Sequence, residues 1–456
     1  MQNMIADRQR LAKWRDDLER RQRTQMYLDF YHNRVQRHLL PILQQMVDSE
    51  EARELARYLE HDNITERMIH AISLVFAEPL RVRVRRREQS GWGDDAALQS
   101  RLDRLLAASR LGLALKEVER LSKLTFDVAV LPQLRHGAIE LDIITGEKAF
   151  VEQAEDNPTH AARFYYQVGV RQNTPQPGRV DNYHAWCEEG KFACVVDADG
   201  QPGNFVRLPH IDYGGRLPVV MFRNYLPVDS FWRDAENAVV QKNIAIDLRR
   251  TDLAMAEAYN IPQLLTIGAP EDQEMKKGRT FKLDIPRNEL GDTVGDARYL
   301  KPSESLREQN ELIRDRIEQL GLSLGLSRSV ITGQTASSGY ELALAKHEIL
   351  ERNRSDREYY RASVTELVKV MMDTARLGLG ADFPADAEIT VDFGEIRFAQ
   401  SDLDKLRARK HKLEMGLASR LDFILEDNPD LDREAGKAQL ERIEAEEMKK
   451  TGNVNE

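Results

Sequence analysis

The chain has 456 residues but only two cysteines, Cys187 and Cys194. Two thiols cannot form the disulfide framework that stabilises many small secreted domains, and so few cysteines are typical of a reducing compartment. The first residues run directly into a charged segment and lack the apolar core of a secretion signal. We therefore expect the protein to be made and kept in a cytoplasm.

Long hydrophobic runs are also missing. The nearest candidate, residues 320–326, is short and is followed by Arg328, whereas a membrane-spanning helix needs about 20 apolar residues. Hydrophobic residues are 41% and charged residues 31% of the chain, which is typical of a soluble, helix-rich protein. We therefore expect no membrane partner. The length is sufficient for about two to four packed units.

No complete catalytic motif is present. The segment at His347 begins like a zinc-protease helix, but Glu351 stands where the second histidine is required. Residues 333–339 lack the Gly-Lys-Ser/Thr of a phosphate-binding loop, and no G-x-S-x-G nucleophile elbow occurs. Asp392 and Glu395 are one carboxylate pair among many, and spacing alone does not select an acid and a base. We predict that the protein is not an enzyme and uses no cofactor.

A metal site is the other chemical possibility. His184, Cys187 and Cys194 lie close in sequence, but a fourth ligand and the spacing of a zinc finger are missing. We expect no metal, and the simpler interpretation is two buried thiols in a β-hairpin.

The formal net charge is −10. Proteins that hold DNA phosphates tightly are usually basic, so tight DNA binding is not expected. Mild acidity would suit a channel through which DNA slides, but it is equally common among ordinary soluble proteins. Both interpretations stay open at this point.

The first half of the chain mixes helix and strand patterns. Residues 6–49 are predicted to be helical with a kink or break at Pro41, and residues 64–75 form a helix with Asn63 as its N-cap. Residues 98–124 predict one further helix. The strand patterns are residues 80–84, 126–134, 138–144, 164–170, 183–189, 191–196 and 218–223. They predict a mostly antiparallel sheet.

From Ala235 the spacing becomes helical, with two apolar stripes. The first stripe is Val240, Ile244, Leu248, Met255 and Tyr259, and the second is Val239, Ile246 and Leu253. A helix that is apolar on two faces usually packs between neighbours, from the same chain or from adjacent subunits. Strand patterns at 264–267 and 280–283 then predict a small β insertion. Ser305 opens a second helix with a capping-box pattern, whose end is loosened by Gly321 and Gly325.

The remaining segments are a loop, a long helix, a strand and a charged tail. Residues 339–377 predict the long helix and 387–393 the strand, while 402–450 predict charged helices broken at Asn428 and Pro429. The loop at 329–338 has hydroxyl, amide and glycine residues but no charge, so it can pass a polyanion without trapping it. An ordinary connector is the simpler interpretation of that loop from composition alone.

Four segments occur in a particular order along the chain. They are the aromatic segment 27–31, the helix-to-strand step 63–80, the segment 227–260, and Ser-Ser-Gly-Tyr-Glu-Leu-Ala at 337–343. In this order they resemble the portal proteins of tailed bacteriophages, which form a ring at one capsid vertex through which DNA passes. Asn33 stands near the place where that family has a glycine after its aromatic segment.

The resemblance implies an α+β, mainly helical, ring-forming fold. Its parts would be a wing (1–235), a first stem helix (236–260), a β-rich clip (261–302), a second stem helix (303–326), a tunnel loop (327–338), a long wing helix with a closing strand (339–400) and a C-terminal helical crown (401–456).

Three sets of site residues follow from that division. The DNA-channel loop residues are Thr332, Gly333, Gln334, Thr335, Ser337 and Ser338. The stem channel candidates are Lys242, Arg249 and Arg250, which can instead pair with Asp247 and Asp252. The clip docking residues are Lys276, Lys277, Arg279 and Lys282.

The partners implied by the resemblance are about twelve copies of the chain, double-stranded DNA held weakly and transiently, the terminase large subunit, a head–tail adaptor, and capsid and scaffolding proteins. The implied location is the portal vertex of a virion, after assembly in the host cytoplasm. Two alternatives stay open. One is a cytosolic helical adaptor or scaffold that binds through residues 402–450, and the other is a hydrolase with an unidentified acidic site.

Overall fold

The structure is a computed structural model. It describes residues 2–46, 52–53, 56–88, 91–168, 181–196, 202–259, 263–267, 296–300, 306–326, 331, 339–394, 409–416, 418–427, 434 and 436–442. The chain divides into two compact units, Met1–Gly394 and Glu395–Glu456.

Long helices dominate the described residues. They are α1 (Gln2–Tyr31), α2 (Gln36–Met46), α3 (Ile64–Ile72), α4 (Ala96–Ala108), α5 (Leu111–Thr125), α6 (Ala238–Tyr259), α7 (Leu306–Ser323), α8 (Gly339–Leu379) and α9 (Arg420–Asp427). Asn63 caps α3 as predicted, because its side chain accepts a hydrogen bond from the backbone N–H of Glu66 at 3.2 Å.

The strands form small antiparallel sheets. They are β1 (Arg81–Glu88), β2 (Gly91–Asp94), β3 (Val128–Arg135), β4 (Ala138–Thr145), β5 (Ala149–Gln153), β6 (Ala161–Gln167), β7 (Asp181–Cys187), β8 (Gly190–Val196), β9 (Pro202–Arg207), β10 (Val220–Phe222), β11 (Gln263–Ile267), β12 (Asp296–Leu300) and β13 (Glu388–Asp392). The sheet orders are β13-β1-β2, β10-β3-β4, β5-β6-β7-β8-β9 and β11-β12. The mixed α and β class expected from the spacing is confirmed.

The long helix α8 runs along the largest hydrophobic core. Its residues Tyr360, Val364, Leu367 and Val368 are all 0% exposed, and their spacing of three and four residues places them on one helical face. This face packs on β3, β10 and β13. The hydroxyl of Tyr360 lies 2.7 Å from that of Ser122 on α5. The long helix predicted from the sequence is therefore confirmed.

The first predicted helix is broken, but Pro41 is not the cause. The break lies between α1 and α2, where Asn33 has a φ of 59°, and Pro41 lies inside α2. Buried Asp29 accepts hydrogen bonds from Arg37 and, at 2.6 Å, from the ring of His38. These contacts hold the start of α2 against the end of α1, which favours a sharp turn between them.

The single helix predicted over residues 98–124 is in fact two helices, α4 and α5. Arg110 between them has a φ of 54°, a left-handed conformation that interrupts a helix. Arg110 is neither glycine nor proline, and the nearby Gly112 lies inside α5, so the sequence did not mark Arg110 as the break.

The β3–β4 hairpin agrees with its prediction. His136 and Gly137 have φ values of 50° and 78°, and positive φ at both central residues is the requirement of a type I′ hairpin turn. Glycine meets this requirement without steric cost.

Both cysteines are buried thiols on the β7–β8 hairpin, as predicted. Burial raises the pKa of the Cys194 thiol to about 11, which makes it a poor nucleophile. His184 lies an odd number of residues from Cys187 and therefore faces the other side of the sheet. Across the described part of the chain, no group of three or more His, Cys, Asp or Glu residues is placed to hold a metal ion.

The second unit contains α9, a short helix over residues 409–414 and helical residues at 436–442. A left-handed Gly416, with a φ of 67°, follows the short helix, and this interruption was not predicted. The predicted break at Asn428 and Pro429 lies outside the described residues. In the portion of the chain that the structure describes, no helix combines the length and apolarity needed to cross a bilayer.

Candidate functional site

The candidate site is built on α6 and α7, which the resemblance assigns to a stem. The two helices pack through Val239, Ile246 and Leu253 on α6 and Ile313 and Leu320 on α7. Each of these side chains is less than a tenth exposed. Burial of a leucine or isoleucine side chain stabilises a fold by about 1.5–3 kcal/mol. These contacts therefore stabilise the packing of α6 on α7.

Residues from both apolar stripes of α6 are buried inside one chain. The second stripe faces α7, whereas Val240 and Ile244 of the first stripe belong to the main core and are 0% and 9% exposed. The stripes were compatible with neighbours from the same chain or from adjacent subunits, and the structure selects the same chain for these residues. The buried residues of these stripes therefore do not support contact with an adjacent subunit.

A buried polar network fixes α6 to the segment before α3. The carboxylate of Asp247 is 2.7 Å from Nδ1 of His61 and accepts the backbone N–H of Asp62 at 3.2 Å. Asn243 donates to Asp247 at 3.0 Å and accepts the backbone N–H of Thr65 at 2.9 Å. Burial raises the pKa of Asp247, and the hydrogen bond with His61 offsets only part of that effect.

This network was missed in the sequence. A signal was present, because Asn243 and Asp247 are polar residues one helical turn apart between two apolar stripes. Polar side chains at such positions have to find buried partners. The sequence did not say that the partners would come from residues 61–65.

The exposed face of α6 carries two of the three predicted stem residues. Lys242 and Arg249 are exposed, with Ala245 between them and Asp252 beyond, at alternating steps of three and four residues. One helical line therefore presents two cations two turns apart. Arg249 interacts electrostatically with Asp252, as the sequence allowed.

Arg250 does not belong to this line. A step of one residue rotates a side chain by about 100° around a helix, and Arg250 is half-buried with its guanidinium 3.0 Å from the carboxylate of Asp62. Asp62 also pairs with Arg67 at 2.8 Å. Arg250 therefore has a structural partner, although it is neither Asp247 nor Asp252.

The ribbon between α6 and α7 is partly described. β11 pairs with β12 in antiparallel register, with Gln263 opposite Leu300, so the strand predicted at 264–267 is confirmed. The strand predicted at 280–283 lies outside the described residues. So do the predicted clip docking residues Lys276, Lys277, Arg279 and Lys282.

The end of α7 leads toward the predicted DNA-channel loop. Gly325 has a φ of 76°, and the backbone N–H of Leu326 donates to the carbonyl of Gly321 at 3.0 Å. The two glycines, which were expected to loosen the helix end, instead lie in a hydrogen-bonded helix terminus. The predicted loop residues Thr332, Gly333, Gln334, Thr335, Ser337 and Ser338 lie outside the described residues.

No protein-family model matches the chain, and no curated protein sequence matches it. Solved structures of gene transfer agent particles contain similar chains. One, from the virion of a native particle, is 14% identical with a TM-score of 0.36, and the similarity covers 80% of this chain and 89% of that chain. Another, from the neck of an empty particle computed with C6 symmetry, is 14% identical with a TM-score of 0.38 and the same coverage. TM-scores this low do not establish a shared fold.

Proposed function

We propose that this chain is a portal-type structural protein of a phage-like virion, which forms a ring at one capsid vertex and conducts double-stranded DNA. The observation that supports this most is the order α6, β11–β12 ribbon, α7, α8. β11 follows α6 and β12 precedes α7 in the chain, and the two strands pair, with Gln263 opposite Leu300. The two helices also pack against each other. This order matches the stem, clip, stem and long wing helix that the sequence resemblance implies.

Two exposed apolar side chains offer a contact for an adjacent subunit. Leu226 and Val228 are 74% and 75% exposed in the segment that leads from β10 to α6. Apolar groups this exposed are common in protein interfaces. A closed ring requires one surface patch to meet a different patch on the next copy. The ring would contain about twelve copies of the chain and would lie at the portal vertex after assembly in the host cytoplasm. The chain would have no catalytic role.

Weak contact with DNA is part of the proposal. We expect the purified protein to retain little duplex DNA near physiological salt, because its net charge is −10 and Lys242 and Arg249 are the only cations among the described exposed side chains of α6. Any retention should fall steeply between about 50 and 200 mM salt, since each phosphate contact releases counterions. Fluorescence anisotropy with a labelled duplex measures this dependence.

A matched pair of variants tests the contribution of α6. Lys242→Gln with Arg249→Gln should flatten the salt dependence at low salt, whereas Lys116→Gln with Lys148→Gln, at two exposed sites elsewhere in the unit, should not. Tight binding that resists salt would contradict the idea of a sliding channel.

The clip segment offers a second prediction. Residues 271–301 contain seven acidic residues (Glu271, Asp272, Glu274, Asp284, Glu289, Asp292, Asp296) and seven basic residues (Lys276, Lys277, Arg279, Lys282, Arg287, Arg298, Lys301). Balanced and interspersed charge suits a polar surface that docks successive partners, here the terminase large subunit and then a head–tail adaptor. Lys276→Glu with Lys277→Glu should leave assembly intact and weaken terminase docking, measured by co-sedimentation.

The control for that experiment reverses two exposed lysines elsewhere, Lys116→Glu with Lys148→Glu. It should leave docking unchanged. If the Lys276 and Lys277 reversals prevent assembly instead, the segment is an assembly element and not a docking surface.

A further inference from the structure

The outer face of the β13-β1-β2 sheet carries a line of arginines. β1 has arginine at positions 81, 83, 85 and 87, and alternate residues of a strand point to the same face. The intervening Val82 and Val84 are 7% and 3% exposed and belong to the main core. The arginines therefore follow one another on the opposite face, at a repeat of about 6.7 Å.

Two of the arginines lie near acidic residues of β13. Arg83 is 3.7 Å from Asp392 and Arg85 is 4.0 Å from Glu388, and all four of these side chains are more than two-fifths exposed. The register also places Asp94 opposite Arg85. Exposed pairs at such distances contribute little, so an incoming anion can compete with them.

Tryptophan at position 92 extends the arginine line with an aromatic surface. Its side chain is 46% exposed, and the register places Trp92 directly opposite Arg87, on the same face of the sheet. Aromatic side chains beside basic ones form the stacking surfaces on which unpaired bases bind. An acidic peptide would use the arginines but would gain little from the ring.

The other end of the arginine line borders a groove. β2 pairs only with the second half of β1, and beyond it the side chain of Gln99 donates to the carbonyl of Val82 at 2.8 Å and accepts the N–H of Val84 at 3.0 Å. These bonds satisfy the strand edge, which disfavours addition of another β-strand. The groove alongside has a volume of about 780 Å³ and is lined by Arg81 and Arg83 together with acidic Asp95 and Asp103.

We infer that this sheet face binds single-stranded nucleic acid, with phosphates against the arginines and a base stacked on Trp92. Guanidinium groups match phosphate oxygens in a planar, two-pronged geometry. A single strand is favoured over a duplex because the bases of a duplex are stacked inside it and cannot reach the ring. This site is separate from the proposed channel and does not depend on ring formation.

The test is an anisotropy titration of a labelled oligothymidine of about 12 nucleotides with the full-length chain at low salt. Trp92→Ala should weaken binding by at least about fivefold, and Trp92→Phe should retain more affinity than Trp92→Leu. Arg83→Gln with Arg87→Gln should reduce the slope of log affinity against log salt by about 1.4, since each phosphate contact of a single strand contributes about 0.7.

The matched control removes two exposed cations from other surfaces, Lys116→Gln with Arg354→Gln, and should change neither affinity nor slope. The inference is overturned if the two double variants have equal effects, if Trp92→Ala binds the oligonucleotide as tightly as the parent protein, or if the parent protein does not bind it. Displacement of the oligonucleotide by polyglutamate as efficiently as by unlabelled oligothymidine would also overturn it, because the surface would then be one for acidic peptides. The Phe and Leu variants at position 92 keep the comparison valid if Trp92→Ala lowers stability.

Discussion

Replacing Gln334 with tryptophan is expected to block DNA packaging or retention while leaving assembly and melting temperature nearly unchanged. If residues 327–338 line the narrowest part of a channel, their copies crowd around the DNA, and one indole per copy would obstruct it. The native sequence keeps bulk low through Gly333, Thr335 and Ser337, and Gln334 can exchange hydrogen bonds with phosphates without a fixed charge. Genome length in purified particles and virus yield measure the effect.

Related variants separate bulk from charge. Gln334→Ala should package DNA normally, and deletion of residues 332–335 should block packaging like the tryptophan variant. Gln334→Lys should slow the passage of DNA, because one lysine per copy would form a ring of positive charge that attracts the phosphates. A Gln334→Trp virus with normal genome length and normal yield would show that the segment is an ordinary connector.

Among the substitutions on α6 that we compare, removal of the Asp247 carboxylate is expected to cause the largest loss of stability. Asp247→Ala leaves His61 without its partner in a buried site, and the other ring nitrogen of His61 has no hydrogen-bond partner within the described structure. A buried donor or acceptor that loses its partner typically costs about 1–3 kcal/mol, and the Asp247 carboxylate is the partner of His61, Asn243 and the backbone N–H of Asp62. Urea unfolding of the purified chain should show a reduction of this size in the free energy of unfolding.

Asp252→Ala is the matched control, because Asp252 lies on the same helix but is exposed. Its effect should stay within about 0.5 kcal/mol. Asp247→Asn keeps the shape and one acceptor, so it should fall between the two alanine variants. Equal stability of Asp247→Ala and Asp252→Ala would mean that the buried network does not anchor α6.

Elements with local signals were predictable from the sequence. The His136-Gly137 turn, the Asn63 cap and the long helix α8 each depend on residues close in sequence, such as a glycine in a turn or apolar positions at helical spacing. The strand at 264–267 is in the same class. The residues that determine each of these elements lie within or next to it in the sequence.

Elements that depend on distant contacts were not predictable. The break at Arg110 puts a long, non-glycine side chain in a left-handed conformation, which the surrounding packing has to impose. Asn33 adopts the same conformation more readily, because asparagine tolerates it, but its sequence neighbours did not show that the helix would end there. Periodicity likewise showed two apolar stripes on α6 but could not say which neighbours cover them. The candidate site shows the same limit, because the partner of Arg250 is Asp62, far away in sequence.

Electron microscopy of the purified chain, together with its mass in solution, tests the central claim most directly. The proposed ring predicts particles with a central hole and a mass about twelve times the 52.4 kDa of one chain. A uniform monomer of 52.4 kDa at every salt and protein concentration would contradict it.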